Sequence, residues 1–546
     1  MIRAVRLPDV APPQIVRDPA IVEVYLEDAS GAPPGRAAGL ARPADEAEAA
    51  SLLRSTDPRA TAVLCQAART SLTGGAIPHD ELVLSVERMV EIGRIETGAA
   101  RATVAVGPGV RLDALRVALA RAGWYYPPVP TYEQAMIGGT VATNAGGAAT
   151  FKYGVTRQWI RALRVLLHNG DLLELERGRF LAARGDAFTI GLTDGTTLRV
   201  PVPDYRLPAV KKISAGYFSA DPLDLIDLFI GSEGTLGLFT SITLDLVPLP
   251  AAVITALVFA PDTGSALALA AELRDAALRA REGAHAREPE VRSIESIDAH
   301  GLSLLRASGD AARLRIPIPS RARAALLFEL ELPDSVTAAA AERAAGLALE
   351  GREDGPAGPL DRLFRLLGRH GALDDLQIAF PADEARREAL KEFREALPRR
   401  VNELLGERRR ADREVKKVAG DLVVPFEHVP AMMRVYEEGF RTRGLEHAVW
   451  GHLSDGNLHP NALPRDGAEV RRAAAAIVEF ADEAVRRGGA PLSEHGVGRD
   501  ALKQELLRRF LGPGAIEAMR RVKRGLDPHG RFAPGVLFPP AGARSS

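Results

Sequence analysis

The stretch Ile137-Gly138-Gly139-Thr140-Val141-Ala142-Thr143-Asn144-Ala145-Gly146-Gly147 consists almost wholly of small residues. Such a backbone can lie against a flat ligand without steric obstruction. Upstream, Thr70-Ser71-Leu72-Thr73-Gly74-Gly75 sets two adjacent glycines beside three hydroxyls. Several N–H groups can then converge on one anion, as a pyrophosphate cradle requires. Either loop alone is better explained as a tight turn needing positive φ, but two in one lobe are harder to dismiss. No G-x-G-x-x-G follows a strand here and no Gly-Lys-Ser/Thr occurs. Nicotinamide and ATP therefore lose ground.

Outward from these loops the hydrophobic pattern is that of an α+β protein. Gly, Pro and Ala crowd 31–39, and Asp45 stands at a helix start ahead of Leu52 and Leu53. Short apolar runs at 61–64, 82–86, 102–106, 163–167 and 242–247 alternate with a helical pattern at 112–122. Past Pro250, strand-like runs at 252–259, 324–332 and 377–380 alternate with helical ones at 265–281, 336–349 and 383–396. A second lobe of antiparallel sheet and helices follows from that alternation. From about Arg499 come two further helical patterns and a turn-rich tail, Leu526 through Gly535, which must dock to be ordered.

Bulk properties exclude several classes. A chain of 546 residues exceeds what one core covers, and 46% hydrophobic content supplies ample material for two or three lobes. Lys and Arg total 70 against 71 Asp and Glu, in mixed runs, so nucleic acid is not expected as a partner. The single Cys65 cannot form an internal disulfide. The opening Met1-Ile2-Arg3-Ala4-Val5-Arg6-Leu7-Pro8 lacks a signal-like apolar core. A cytoplasmic protein is expected, with no spanning helix and with peripheral membrane docking left open.

At the glycine-rich segments the chain resembles the vanillyl-alcohol oxidase and p-cresol methylhydroxylase flavoproteins, in the branch of D-lactate, D-2-hydroxyglutarate and glycolate dehydrogenases. The likeness runs from about Arg42 to the end. Residues 70–75 look like the family's pyrophosphate loop. Gly138, Gly139, Ala142, Asn144 and Gly147, followed by Lys152-Tyr153-Gly154, look like its second FAD segment, and Gly231-Ser232-Glu233-Gly234-Thr235-Leu236-Gly237 with Leu238 like a third. The resemblance implies a two-subdomain FAD lobe at 36–249 behind an N-terminal segment, 1–35. It implies a cap domain at 250–498 carrying a metal site, and C-terminal helices, 499–546, docking on the FAD lobe. Many relatives have Arg-Gly-Ala-Gly where this chain has Gln66-Ala67-Ala68-Arg69, which limits how the first loop bends. No His or Cys lies within either of the first two loops, so the FAD is expected to be non-covalent.

Three of eleven histidines fall in two segments, Gly451-His452-Leu453-Ser454-Asp455-Gly456-Asn457-Leu458-His459-Pro460-Asn461 and Ser493-Glu494-His495-Gly496-Val497-Gly498. Asp455-Gly456-Asn457 cannot continue a helix comfortably, so His452 and His459 flank a turn. With Glu494 they make a two-His, one-carboxylate set for a divalent cation. A histidine beside a turn is more often a hydrogen-bonding core residue than a ligand, and on spacing alone that plainer reading is favoured. The resemblance implies that His452, His459 and Glu494 are the ligands, His495 the catalytic base and Asn461 a substrate contact. Zinc is the first expectation for the ion, then manganese or iron. Arg413 and Lys417 are candidate cations for a substrate carboxylate, beside the plainer reading of 407–417 as a solvated helix face.

The chemistry suits such a site, since an imidazole titrating near neutrality can take a hydroxyl proton and a bound cation can orient a 2-hydroxycarboxylate. The expected activity is D-2-hydroxy acid oxidation, with electrons passed to a quinone, cytochrome or electron-transfer flavoprotein. A homodimer is left open. The alternatives are an alkylglycerone-phosphate-synthase-like flavin transferase, which carries a histidine run this chain lacks, a metallohydrolase, and a non-catalytic flavin-binding subunit.

Overall fold

The computed structural model describes residues 2–539 apart from 99–100, 129, 131, 283–287, 334–335, 351 and 353–357. The end of the expected C-terminal segment, 540–546, lies outside the described residues. Helices and mainly antiparallel sheets alternate along the chain, so the α+β class is the one observed. The chain divides into two compact units, one of 1–147, 155–248 and 490–546 and the other of 148–154 and 249–489.

In the first unit the apolar runs become strands. Gly39–Ala41, Val63–Gln66 and Leu82–Ser85 form a small parallel sheet, and the side chain of Asp45 caps the helix Glu46–Ser55 by accepting the N–H of Glu48 at 2.9 Å. A larger antiparallel sheet runs Ile92–Thr97, Ala102–Val106, Leu238–Pro248, Ile160–Leu166, Leu172–Glu176. Leu52, Leu84, Leu166, Leu238 and Phe532 share one buried cluster.

The C-terminal tail is pinned to this unit by polar bonds as well as by Phe532. Ala533 N donates to Val63 O and Val63 N to Arg531 O, both at 2.8 Å. The buried Arg531 guanidinium donates to Leu53 O at 2.8 Å and to His168 O at 2.6 Å. Those bonds offset part of the cost of burying that charge. Residues 490–498, expected in the cap, group with the first unit. Ser214 N bonds Leu492 O at 3.0 Å, and Glu233 receives Val497 N and Gly498 N.

The second unit is built on one antiparallel sheet ordered Gln377–Ala379, Ala252–Ala260, Ala324–Leu332, Glu290–Ile297, His447–His452, Asn457–Ala462, Val418–Ala419. The helix Glu384–Ala411 contributes Phe393, Leu397 and Val401 to a buried cluster that also holds Leu257, Ile297, Leu327 and Trp450 of the sheet. Read from sequence, that helix stops at 396, two residues before Pro398. The structure carries it on to Ala411, as the apolar positions Val401 and Leu405 demand.

Candidate active site

Three glycine-rich segments meet inside the first unit. Gly231 N donates to Val141 O at 2.9 Å and Glu233 N to Ala142 O at 2.7 Å, zipping the third segment onto the helix Ile137–Ala142 of the second. A Cβ on Gly139 would lie 3.4 Å from Ala67 Cβ. One on Gly75 would lie 3.6 Å from Gly498 Cα and 3.7 Å from Glu233 Oε2. One on Gly138 would meet Pro108 Cβ at 2.7 Å, so only glycine permits that approach. Among the described residues, Gln66 Oε1 and Ser232 Oγ are buried without a hydrogen-bond partner. Buried polar atoms of this kind, at a convergence of small residues, fit a polar cofactor threaded between the segments.

Arg69 departs from the restricted bend expected of residues 66–69. It adopts φ 58°, the left-handed conformation that favours glycine, and its guanidinium stacks 4.8 Å from the centre of the Tyr25 ring. The bend is therefore kept at a conformational cost of about 1 kcal/mol, offset in part by the cation–π contact. Ser71 Oγ accepts the N–H groups of Thr73 and Gly75, each at 3.2 Å, so it shapes the loop. Leu72 is exposed.

Other expected cofactor residues have internal duties. The Asn144 side chain accepts Arg157 N at 2.9 Å and donates to Ile213 O at 3.3 Å. The Leu238 side chain belongs to the core, and a Cβ on Gly237 would strike Val165 Cγ1 at 2.6 Å. Glu233 uses both carboxylate oxygens on the backbone N–H groups of Val497 and Gly498, at 2.8 and 2.7 Å. Burial pushes its carboxyl up to about 7, against the opposing pull of those two bonds. Tyr153 and Gly154 fall in the second unit, where the Tyr153 hydroxyl and Lys152 Nζ each meet Glu331 at 2.6 Å.

Glu233 thereby holds the turn that presents Glu494 and His495. Gly496 at φ 74° and Gly498 at φ 57° reverse the chain twice there. Glu494 Oε1 lies 3.4 Å from His495 Nε2, and Glu494 Oε2 lies 2.8 Å from Nζ of the fully buried Lys212. Ser214 Oγ shares its one proton between Ser493 O at 3.1 Å and Thr143 O at 3.0 Å, tying this turn to the second glycine segment. Lys212 and Ser214 carried no sequence motif. The only signal was a lysine pair entering an otherwise buried run at Ala215-Gly216-Tyr217.

In the second unit, His452 and His459 stand on one hairpin. His447–His452 pairs antiparallel with Asn457–Ala462, with Trp450 opposite His459 and His452 opposite Asn457. His452 and Trp450 share a face because side chains alternate, so His459 lies diagonally across from His452 on that face. The two rings are 5.6 Å apart and nearly perpendicular. Gly456, at φ 78°, makes the tight reversal. His459 Nδ1 lies 3.6 Å from Oδ1 of the buried Asp421, an acidic neighbour that the sequence reading passed over inside Gly420-Asp421-Leu422. Two imidazoles with a carboxylate alongside are a donor set suited to a divalent cation.

His452 Nδ1 is hydrogen-bonded to Glu295, whose other oxygen accepts Arg394 Nε at 2.8 Å. Burial alone would raise the Glu295 carboxyl, but Arg394 and His452 outweigh it and hold the group below the ordinary carboxylate range. Asn461 Nδ2 donates to His459 O at 2.7 Å, and Asn461 Oδ1 is buried without a hydrogen-bond partner among the described residues. Arg413 is exposed in the turn after the helix Glu384–Ala411, and Lys417 Nζ sits 5.8 Å from the Trp450 ring centre.

Two family descriptions match the chain, FAD binding domain over residues 37–176 and FAD linked oxidases, C-terminal domain, over residues 249–537. The latter spans more than half of the sequence, so the chain belongs to the FAD-linked oxidases and is an FAD-linked oxidoreductase. Glycolate oxidase subunit GlcD of Bacillus subtilis (strain 168) is 28% identical over 483 residues, 86% of this chain and 82% of its own. D-2-hydroxyglutarate dehydrogenase of Xanthomonas citri pv. viticola is 27% identical, covering 95% and 93%. D-lactate dehydrogenase of Archaeoglobus fulgidus is 26% identical, covering 91% and 90%. Among solved structures, an alkyldihydroxyacetonephosphate synthase superposes with TM-score 0.58 at 14% identity over 97% of this chain and 88% of its own, a likeness of fold. Among the described residues no helix is long and apolar enough to cross a membrane.

Proposed function

We propose that this chain oxidises a D-2-hydroxy acid, of the D-lactate, D-2-hydroxyglutarate or glycolate type, to the 2-oxo acid. The reading assigns His452, His459 and Glu494 as ligands of a divalent cation, zinc first and manganese or iron next. His495 is the base that takes the hydroxyl proton, and Asn461 and a nearby cation hold the carboxylate. Non-covalent FAD, when bound, supplies the hydride acceptor at N5. Electrons then pass to a quinone, cytochrome or electron-transfer flavoprotein, in the cytoplasm or at a membrane surface.

The observation that carries this reading is the imidazole pair on one hairpin face, rings 5.6 Å apart, in a chain whose relatives include a glycolate oxidase subunit, a D-2-hydroxyglutarate dehydrogenase and a D-lactate dehydrogenase. The residues' own chemistry supports it further. The His495 imidazole is a group of the right chemistry to take a hydroxyl proton. Its neighbour Glu494 is braced by Lys212, so the carboxylate keeps one orientation. The test is anaerobic: flavin absorbance is followed with achiral glycolate and across a panel of D- and L-2-hydroxy acids. Bleaching by glycolate, or by one or more D-acids at rates at least tenfold above the L-forms, is expected, and flavin indifferent to every one of these acids contradicts the proposal. His495→Asn is expected to slow bleaching by about 10²–10⁴-fold, and wild-type bleaching in that variant removes His495 as the base.

A further inference from the structure

We infer that Glu295 and Arg394 are positioning residues for the cation site, fixing the His452 ring so that its Nε2 is the coordinating nitrogen. This inference rests on the proposed cation reading and deepens it. The register is the first observation: Glu295 is paired directly with His452 across neighbouring strands, 157 positions apart in sequence. The two side chains therefore leave the sheet on the same face. Glu295 bonds to Nδ1 of His452, so the ring donates its N–H there and makes any ligand bond through Nε2.

The second observation is what stands behind the carboxylate. Arg394 reaches Glu295 Oε2 at 2.8 Å from the helix Glu384–Ala411. The side chains of Glu295, Arg394 and His452 are 7%, 8% and 3% exposed, amid an apolar face that includes Ile297, Trp450, Phe393 and Leu397. An ion pair in such a place contributes little net stability compared with apolar side chains of the same size. Its distinctive effect is orientation. Arg394 occupies one carboxylate oxygen and leaves the other directed at the ring, so His452 cannot rotate without stranding a buried charge. A carboxylate behind a ligating imidazole also raises the ligand's basicity and fixes its tautomer.

The test is titration of metal-depleted, FAD-loaded protein with cobalt(II), followed by calorimetry and by the visible ligand-field bands. It is run in a His300→Ala background, because Asp298, His300 and His447 offer a second set of donors elsewhere in the same unit. Glu295→Gln keeps the size of the side chain and a hydrogen-bond acceptor, so a purely packing role leaves the affinity unchanged. The positioning role predicts about 10- to 100-fold weaker cobalt binding, with shifted bands.

If Glu295→Gln does not fold, Arg394→Met carries the test. Without the guanidinium the carboxylate can swing from the ring, and binding is expected to weaken several-fold. Wild-type affinity and bands in whichever of these variants folds overturn the inference. His452→Ala separates the two levels. If it abolishes cobalt binding while Glu295→Gln binds normally, the cation reading stands and the positioning role falls. If His452→Ala binds cobalt as tightly as wild type, the cation reading itself fails.

Discussion

Replacing Gly456 by alanine should damage the hairpin that holds His452 and His459, by an amount the geometry sets. Gly456 sits at φ 78°, where an L-residue costs about 1 kcal/mol. A Cβ there would lie 2.0 Å from Val424 O, a backbone atom that cannot step aside cheaply. An ordinary carbon–oxygen contact is about 3.3 Å, so the turn and the backbone at Val424 must part by roughly 1 Å. That movement breaks the bond from Val424 N to Gly456 O, now 3.1 Å, at about 1 kcal/mol. Residual strain brings the total to about 3 kcal/mol. At about 2–4 °C per kcal/mol for a unit of this size, Tm falls by roughly 6–12 °C.

Gly444→Ala is the control. Gly444 has φ 60°, yet a Cβ there would meet nothing within 4 Å, so only the conformational cost remains, about 1 kcal/mol and 2–4 °C. Calorimetry on both variants, with metal content measured alongside, isolates the contact term. Equal Tm shifts in the two variants, or undiminished metal content in Gly456→Ala, would refute the claim that this turn sets the imidazole geometry.

Three further outcomes are expected. Burial pushes the Cys65 thiol up to about 12, so at pH 8 only about one molecule in 10⁴ carries thiolate. Iodoacetamide should therefore spare Cys65 until denaturant is added, and rapid labelling of native protein at pH 8 contradicts that. Phe532→Ala empties a fully buried site against the strand that leads into the first glycine loop, and should cost about 3–5 kcal/mol in urea unfolding. An unchanged midpoint would show that the tail adds nothing to the core. Acid precipitation should release the flavin to the supernatant, and a yellow pellet would show a covalent tether.

How much of this was legible in the sequence depended on range. The glycine segments and the His452–His459 hairpin could be read because their logic lies within a dozen consecutive residues, where small side chains and turn formers leave few alternatives. Glu295 could not. Its strand, Glu290–Ile297, turns polar Ser293 and Glu295 inward, so it lacks the apolar alternation that marks a strand, and its partner lies far along the chain. Lys212 and Asp421 escaped for the same reason, since each gains meaning only from a neighbour the fold supplies. Glu233 was legible as part of a conspicuous glycine motif, but its carboxylate braces the backbone at Val497 and Gly498.

The most direct test of the whole account is single-turnover flavin reduction by the preferred D-2-hydroxy acid, measured in stopped flow on three samples: protein as isolated, protein stripped by chelator, and stripped protein given back zinc or manganese. Stripping is expected to cut the rate to a few per cent or less, and one of the ions to restore it. Stripped protein, verified metal-free, that reduces its flavin at the original rate would contradict it.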